Sequence, residues 1–125
     1  MNILVVDDEQ DVQVLFEQRF RREIKNGEFN FAFAFSGEAA LTYLQEHGHE
    51  AVLILSDINM PGMSGLEMLT IVKEKFPDIH VSMVSAYGDS ENYNKAIKSG
   101  AKGFFTKPVD FESLKKEILT LGGGE

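Results

Sequence analysis

The sequence predicts an α/β fold, a doubly wound parallel sheet of five strands with helices on both faces. Two observations lead there. Short apolar runs alternate with amphipathic stretches along the whole chain, strand then helix five times over. The runs at residues 3–6 (ILVV) and 52–55 (VLIL) are nearly continuous in aliphatic residues rather than alternating. That is the pattern of strands buried on both faces, as parallel strands are.

The elements follow in order. Residues 3–6 form the first strand. Val12, Leu15, Phe16, Phe20 and Ile24 recur at helical spacing, and Asn26-Gly27 stops that helix. Phe29, Phe31, Phe33 and Phe35 alternate with smaller or polar residues, which is period two and predicts the second strand. Ser36 is a good N-cap for a helix carrying Ala40, Leu41 and Leu44 on one face and ending at Gly48. Residues 52–55 are the third strand. Leu66, Leu69 and Val72 line the third helix, closed near Pro77, and residues 79–84 are the fourth strand. Residues 89–99 predict a helix with Tyr93, Ala96 and Ile97 inward, ending at Gly100. Residues 103–106 are the last strand. Asp110 caps a fifth helix with Phe111, Leu114, Ile118 and Leu121 on one face.

The 125 residues, 43% of them hydrophobic, suit one domain with a single well-buried core. Residues 1–121 are expected to form it, with 122–125 a Gly-rich tail or the start of a linker. Cysteine is absent, which excludes disulfides and thiolate metal sites. No apolar run approaches the ~20 residues of a membrane span, and MNILVVDDEQ lacks the basic start of a secretory signal. A cytoplasmic protein without membrane contact is expected. Twelve Lys and Arg against 20 Asp and Glu give a net charge of -8, which argues against direct nucleic-acid binding.

Right-handed crossovers put every strand's C-terminal end on the same edge of the sheet, where open α/β folds bind ligands. The first strand delivers Asp7 and Asp8 there, the third Asp57, the fourth Ser85, the fifth Lys107 followed by Pro108. Each has an ordinary reading. Asp57 alone suits a turn, Asp7 or Asp8 a helix cap, Lys107 a solvated surface, and Ser85 a small residue satisfied by backbone. Their convergence from separate strands argues for a site. Two carboxylates ~5 Å apart repel by about 3 kcal/mol at an effective dielectric near 20, so such a cluster is tolerated where a cation is expected. Oxygen-only donors suit Mg²⁺, which welcomes a phosphate oxygen, and Lys107 could hold another. Asp57, at the centre of the sheet, is the candidate nucleophile for aspartyl-phosphate chemistry. His47, His49 and His80 are better explained as exposed or capping residues than as metal ligands. Met60, Met63, Met68 and Met83 are expected to fill core and loop.

The ordered set VVDDE, LSDINMPGMSG, MVSA and TKP covers nearly the whole chain. It closely resembles the receiver domain of two-component response regulators, including the chemotaxis regulators. The resemblance implies a flavodoxin-like (βα)5 sheet of order 2-1-3-4-5. It implies a module that is not an enzyme beyond assisting its own phosphotransfer and slow autodephosphorylation. Asp57 would accept a phosphoryl group from a sensor histidine kinase or a histidine phosphotransfer protein. Asp8 would bind Mg²⁺ directly, Asp7 through water, with Asp57 and the Asn59 carbonyl completing the metal site. Lys107 would bind the phosphoryl group across a cis bond to Pro108. Ser85 would swing toward the phosphoryl oxygen and Phe104 would follow inward as the switch. Asn59 and Tyr87 would tune the phosphoryl lifetime. The fourth helix, fifth strand and fifth helix, with Tyr93 and Phe105, would form the face for an output domain or downstream protein, and a homodimer formed there on phosphorylation stays open. Phe104 departs from the chemotaxis regulator, which has tyrosine there, so a hydroxyl contact is lost.

Three rivals fit less well. A haloacid dehalogenase-type phosphatase wants a second Asp two residues past the nucleophile, where this chain has Asn59. A flavodoxin-like FMN protein wants a phosphate-cradling loop after the first strand, and VVDDEQ is acidic. A receiver-like module that only binds partners usually lacks a key acid, and here none is missing.

Overall fold

The computed structural model describes residues 1–48, 50–51, 53–86 and 90–123, with side chains up to Thr120. The strands are β1 (Asn2–Val6), β2 (Asn30–Ala34), β3 (Leu53–Asp57), β4 (His80–Ser85) and β5 (Gly103–Thr106). The helices are α1 (Asp11–Arg19), α2 (Arg21–Lys25), α3 (Gly37–His47), α4 (Gly65–Lys75), α5 (Ser90–Lys98) and α6 (Phe111–Gly123). All strand pairs are parallel, in the order β2-β1-β3-β4-β5. Val52, predicted to open β3, and Asp89, predicted to open α5, lie outside the described residues, as do His49 and Tyr87.

The continuous aliphatic runs do what their pattern predicts. Leu4, Val6 and Ile54 face one side of the sheet and pack with Ala40, Leu44, Met68, Leu69, Val72 and Ala96 of α3, α4 and α5. Ile3, Val5, Leu53 and Leu55 face the other side and pack with Phe16, Phe20, Leu114 and Ile118 under α1, α2 and α6. Met60, Met68 and Met83 are buried, as core filling requires.

Three expectations are corrected. The first predicted helix is two, because the backbone turns out of helical geometry at Phe20 (φ -111, ψ 26). The turn drives the Phe20 ring into contact with Phe29 and Phe31, at centroid distances of 5.6 and 5.4 Å, and leaves it 2% exposed. On α5 only Ala96 of the expected inward trio is buried, while Tyr93 and Ile97 remain 46% and 44% exposed. The small Ala96 side chain carries that contact, and its larger neighbours flank it. Leu15, placed on the inward stripe of α1, is likewise exposed.

One tertiary link was invisible in the sequence. Glu23 on α2 accepts a 2.6 Å hydrogen bond from Lys115 on α6, 92 residues away. That bond is the main reason the Glu23 carboxyl is held below its ordinary value of 4.5, against the opposing effect of burial. A depressed acid stabilises the fold above its unfolded-state value, and the contribution is lost as pH falls through the folded one. Glu23→Gln should cost about 1 kcal/mol in urea unfolding at neutral pH. The difference from the parent should shrink in acid; a gap that persists there would contradict the ionic origin.

Candidate functional site

Register delivers the site. Val6 lies beside Ser56, Asp57 beside Val84, and Ser85 beside Thr106. The residues that follow each strand therefore meet at one edge. There Asp7, Asp8 and Asp57 offer carboxylate oxygens all within 4.8 Å of one another. Asp7 and Asp57 are buried and Asp8 is exposed.

The buried acids are held in defined directions. Asp57 Oδ1 accepts from the Ile58 backbone N–H at 2.9 Å, and its Oδ2 lies 3.1 Å from Lys107 Nζ. Asp7 Oδ1 accepts from the Glu9 N–H at 2.9 Å. The alternative role of Asp7 or Asp8 as helix cap is not taken: α1 has Gln10 at its N-cap and no side-chain cap bond. Lys107 also lies 3.9 Å from Asp7 Oδ2 and 3.9 Å from Glu9 Oε1. Its backbone N–H donates to Ser85 O at 2.8 Å, and the Lys107–Pro108 bond is cis.

Burial pushes the Asp7 carboxyl above its ordinary value, aided by the negative charges of Asp57 and Glu9 and opposed by the Glu9 N–H and Lys107. Burial alone would lower Lys107, but the hydrogen bond to Asp57 and the charges of Asp57, Asp7 and Glu9 prevail and raise it. The ammonium therefore stays charged at neutral pH. The donor set is all oxygen and carries excess negative charge, so it fits a hard divalent cation such as Mg²⁺.

The remaining predicted residues fall around this centre. Ser85 is 1% exposed at the end of β4. Asn59 is exposed on the loop two residues past Asp57. Phe104 is half-buried on the α5 side of the sheet, its ring 5.1 Å from that of Tyr93 in an edge-on contact. Phe105 points to the opposite face, among the residues under α1 and α6. His47 pairs with Glu50 at 3.6 Å.

Sequence reasoning missed the supports of the β3–α4 loop. Ser64 and Glu67 form a reciprocal capping box at the start of α4, a pattern legible as S-x-x-E. Glu38 Oε2 accepts from the Met63 N–H at 3.2 Å, which ties the loop to the first turn of α3. Gly65 lets the helix start run against the end of β3, its N–H donating to Ile58 O at 2.8 Å. No local signal marks the last two contacts.

Comparison with known proteins agrees with this architecture. The model of the response regulator receiver domain matches residues 3–119. The chain is 33% identical over 118 residues to a cyclic di-GMP phosphodiesterase of Thermotoga maritima, covering 94% of this chain and 30% of that protein. It is 32% identical over 117 residues to the response regulator protein PilR of Pseudomonas aeruginosa, covering 94% of this chain and 25% of PilR. It thus spans less than a third of the length of these relatives, whose further activities belong to them. The solved structure of the response regulator TrrA of Thermotoga maritima in complex with Mg²⁺-BeF is 28% identical and superposes with a TM-score of 0.80 over 96% of this chain and 97% of that one. Family match, sheet order and carboxylate group agree: the chain belongs to the response regulator receiver domains, the signalling modules of two-component systems.

Proposed function

We propose that Asp57 is the phosphoacceptor, taking its phosphoryl group from a sensor histidine kinase or a histidine phosphotransfer protein. The observation that carries this is the Asp57 carboxylate inside a three-acid group whose close cation is Lys107, 3.1 Å away. An Asp57 carboxylate oxygen attacks phosphorus, the bond from phosphorus to the donor breaks, and its electron pair leaves with the donor. Asp7, Asp8, Asp57 and the Asn59 carbonyl would hold Mg²⁺. When bound, Mg²⁺ would offset the carboxylate charge and draw in the phosphoryl oxygens. The charged Lys107 receives a phosphoryl oxygen and keeps the group oriented. Binding Mg²⁺ is supported by the donor chemistry and by TrrA, which carries Mg²⁺-BeF.

The new charge on Asp57 then biases the nearby side chains. Ser85 donates its hydroxyl to a phosphoryl oxygen, and Phe104 moves inward from its contact with Tyr93. The readout face is α5, β5 and α6, where Tyr93, Ile97 and Leu119 are exposed. It takes an output domain, a downstream protein, or a second phosphorylated copy. Residues 1–121 act as the receiver, a cytoplasmic module whose own chemistry is phosphotransfer and slow dephosphorylation; the helix α6 runs through 122–123, which the sequence alone assigned to the tail. Asn59 and Tyr87 set the lifetime; Tyr87→Ala should release phosphate faster, and unchanged decay would remove Tyr87 from that role.

The test is intact mass after incubation with Mg²⁺ and acetyl phosphate. The parent should gain one phosphoryl group and Asp57→Asn none. Gain in both would place the acceptor elsewhere, and no gain in the parent would overturn phosphotransfer as the function.

A further inference from the structure

Beside the carboxylates, between α1 and the start of α6, lies a cavity of about 450 Å³. Its walls are apolar: Val12, Leu15 and Phe16 from α1, and Phe111 and Leu114 from α6. Its polar rim is Asp7, Glu9, Asp57 and Lys107, the same groups that face the phosphoryl site. Leu15 stands 41% exposed in this wall, so the apolar surface is open rather than filled by the fold. The volume lies within the ~300–1,000 Å³ range of small-molecule pockets, which are mainly apolar with a few polar groups fixing orientation.

The rim decides what chemistry fits. Three carboxylates and one ammonium leave it negative, and the ammonium is already engaged with Asp57 at 3.1 Å. An anionic head would meet repulsion, and a neutral one would leave the rim charge uncompensated as the mouth is covered. A cationic head can donate charge-assisted hydrogen bonds to Asp7 and Glu9. We propose that this cavity is a binding site for a small organic cation, an amine on a compact apolar body, seated between α1 and α6 with its head at the carboxylate rim. Such a ligand shares Asp7 with the metal, so it and Mg²⁺ exclude or weaken one another, and occupancy holds the receiver from being phosphorylated. The binding stands on the cavity alone; its effect on signalling rests on Asp57 being the acceptor.

The test is an NMR titration of the whole chain with adamantylamine, adamantanol and adamantanecarboxylate. The amine should bind saturably, shift Val12, Leu15 and Phe111 resonances, and bind roughly tenfold tighter than the alcohol, with the carboxylate weakest. Added Mg²⁺ should weaken the amine. Leu15→Trp, at a partly exposed position, should fill the mouth and weaken the amine, with circular dichroism confirming the fold. No saturable amine binding, equal affinity for amine and alcohol, or shifts away from α1 and α6 would overturn the proposal. Phosphorylation of Asp57 without amine binding would sink this inference alone. Amine binding with no phosphorylation would sink the phosphotransfer reading and leave the site standing.

Discussion

Gly65→Ala should lose about 3 kcal/mol of stability and slow phosphorylation of Asp57. In most helices the same change gains up to ~1 kcal/mol, because alanine orders the backbone at less entropic cost than glycine. Here a β-carbon would overlap the Asp57 carbonyl oxygen and come within 2.9 Å of Ile58 Cα, both backbone atoms that no rotamer change can clear. The end of β3 or the start of α4 must shift. Either shift moves the Asp57 carboxylate, whose Oδ1 is fixed by the Ile58 N–H. Urea unfolding and the rate of mass gain with acetyl phosphate check the two effects separately. An alanine variant as stable as the parent would show that this approach does not constrain the strand end.

Asp7→Asn should raise the stability of the metal-free protein at neutral pH by about 1 kcal/mol, while most of the stabilisation by Mg²⁺ disappears. The Asp7 carboxyl is raised chiefly by burial, so its ionised form is less favourable in the fold than in the unfolded chain. The sign follows from linkage. The penalty is fully present above the folded value and is relieved as pH falls through it toward the ordinary 3.8. Asn removes that charge while keeping an oxygen able to accept from the Glu9 N–H. The variant's advantage should therefore shrink on acidification in the presence of a chelator. Urea titrations across the acid range with chelator, and at neutral pH with Mg²⁺, test both halves. A variant less stable than the parent without metal would mean that the Asp7 charge is already compensated by Lys107.

Both effects arise where residues distant in sequence meet, and that separates what the chain alone determined from what the tertiary structure decided. Strand identity was legible because parallel strands buried on both faces need continuous aliphatic runs, and ILVV and VLIL could serve little else. The site was legible because parallel topology sends every strand's end to one edge, so Asp7, Asp8, Asp57, Ser85 and Lys107 converge whatever the details of packing. Helical spacing could not say which apolar residues on α5 are covered, since burial of Ala96 and exposure of Tyr93 and Ile97 depend on the surface opposite. Nor could it foresee the turn at Phe20, where propensity for a continuing helix yields to ring contacts with Phe29 and Phe31. The Glu23–Lys115 bond, the contact at Gly65 and the cavity between α1 and α6 are distances between elements. Sequence period fixes the face a residue takes on its own element, but only the docking of one element on another sets the gap across which it acts.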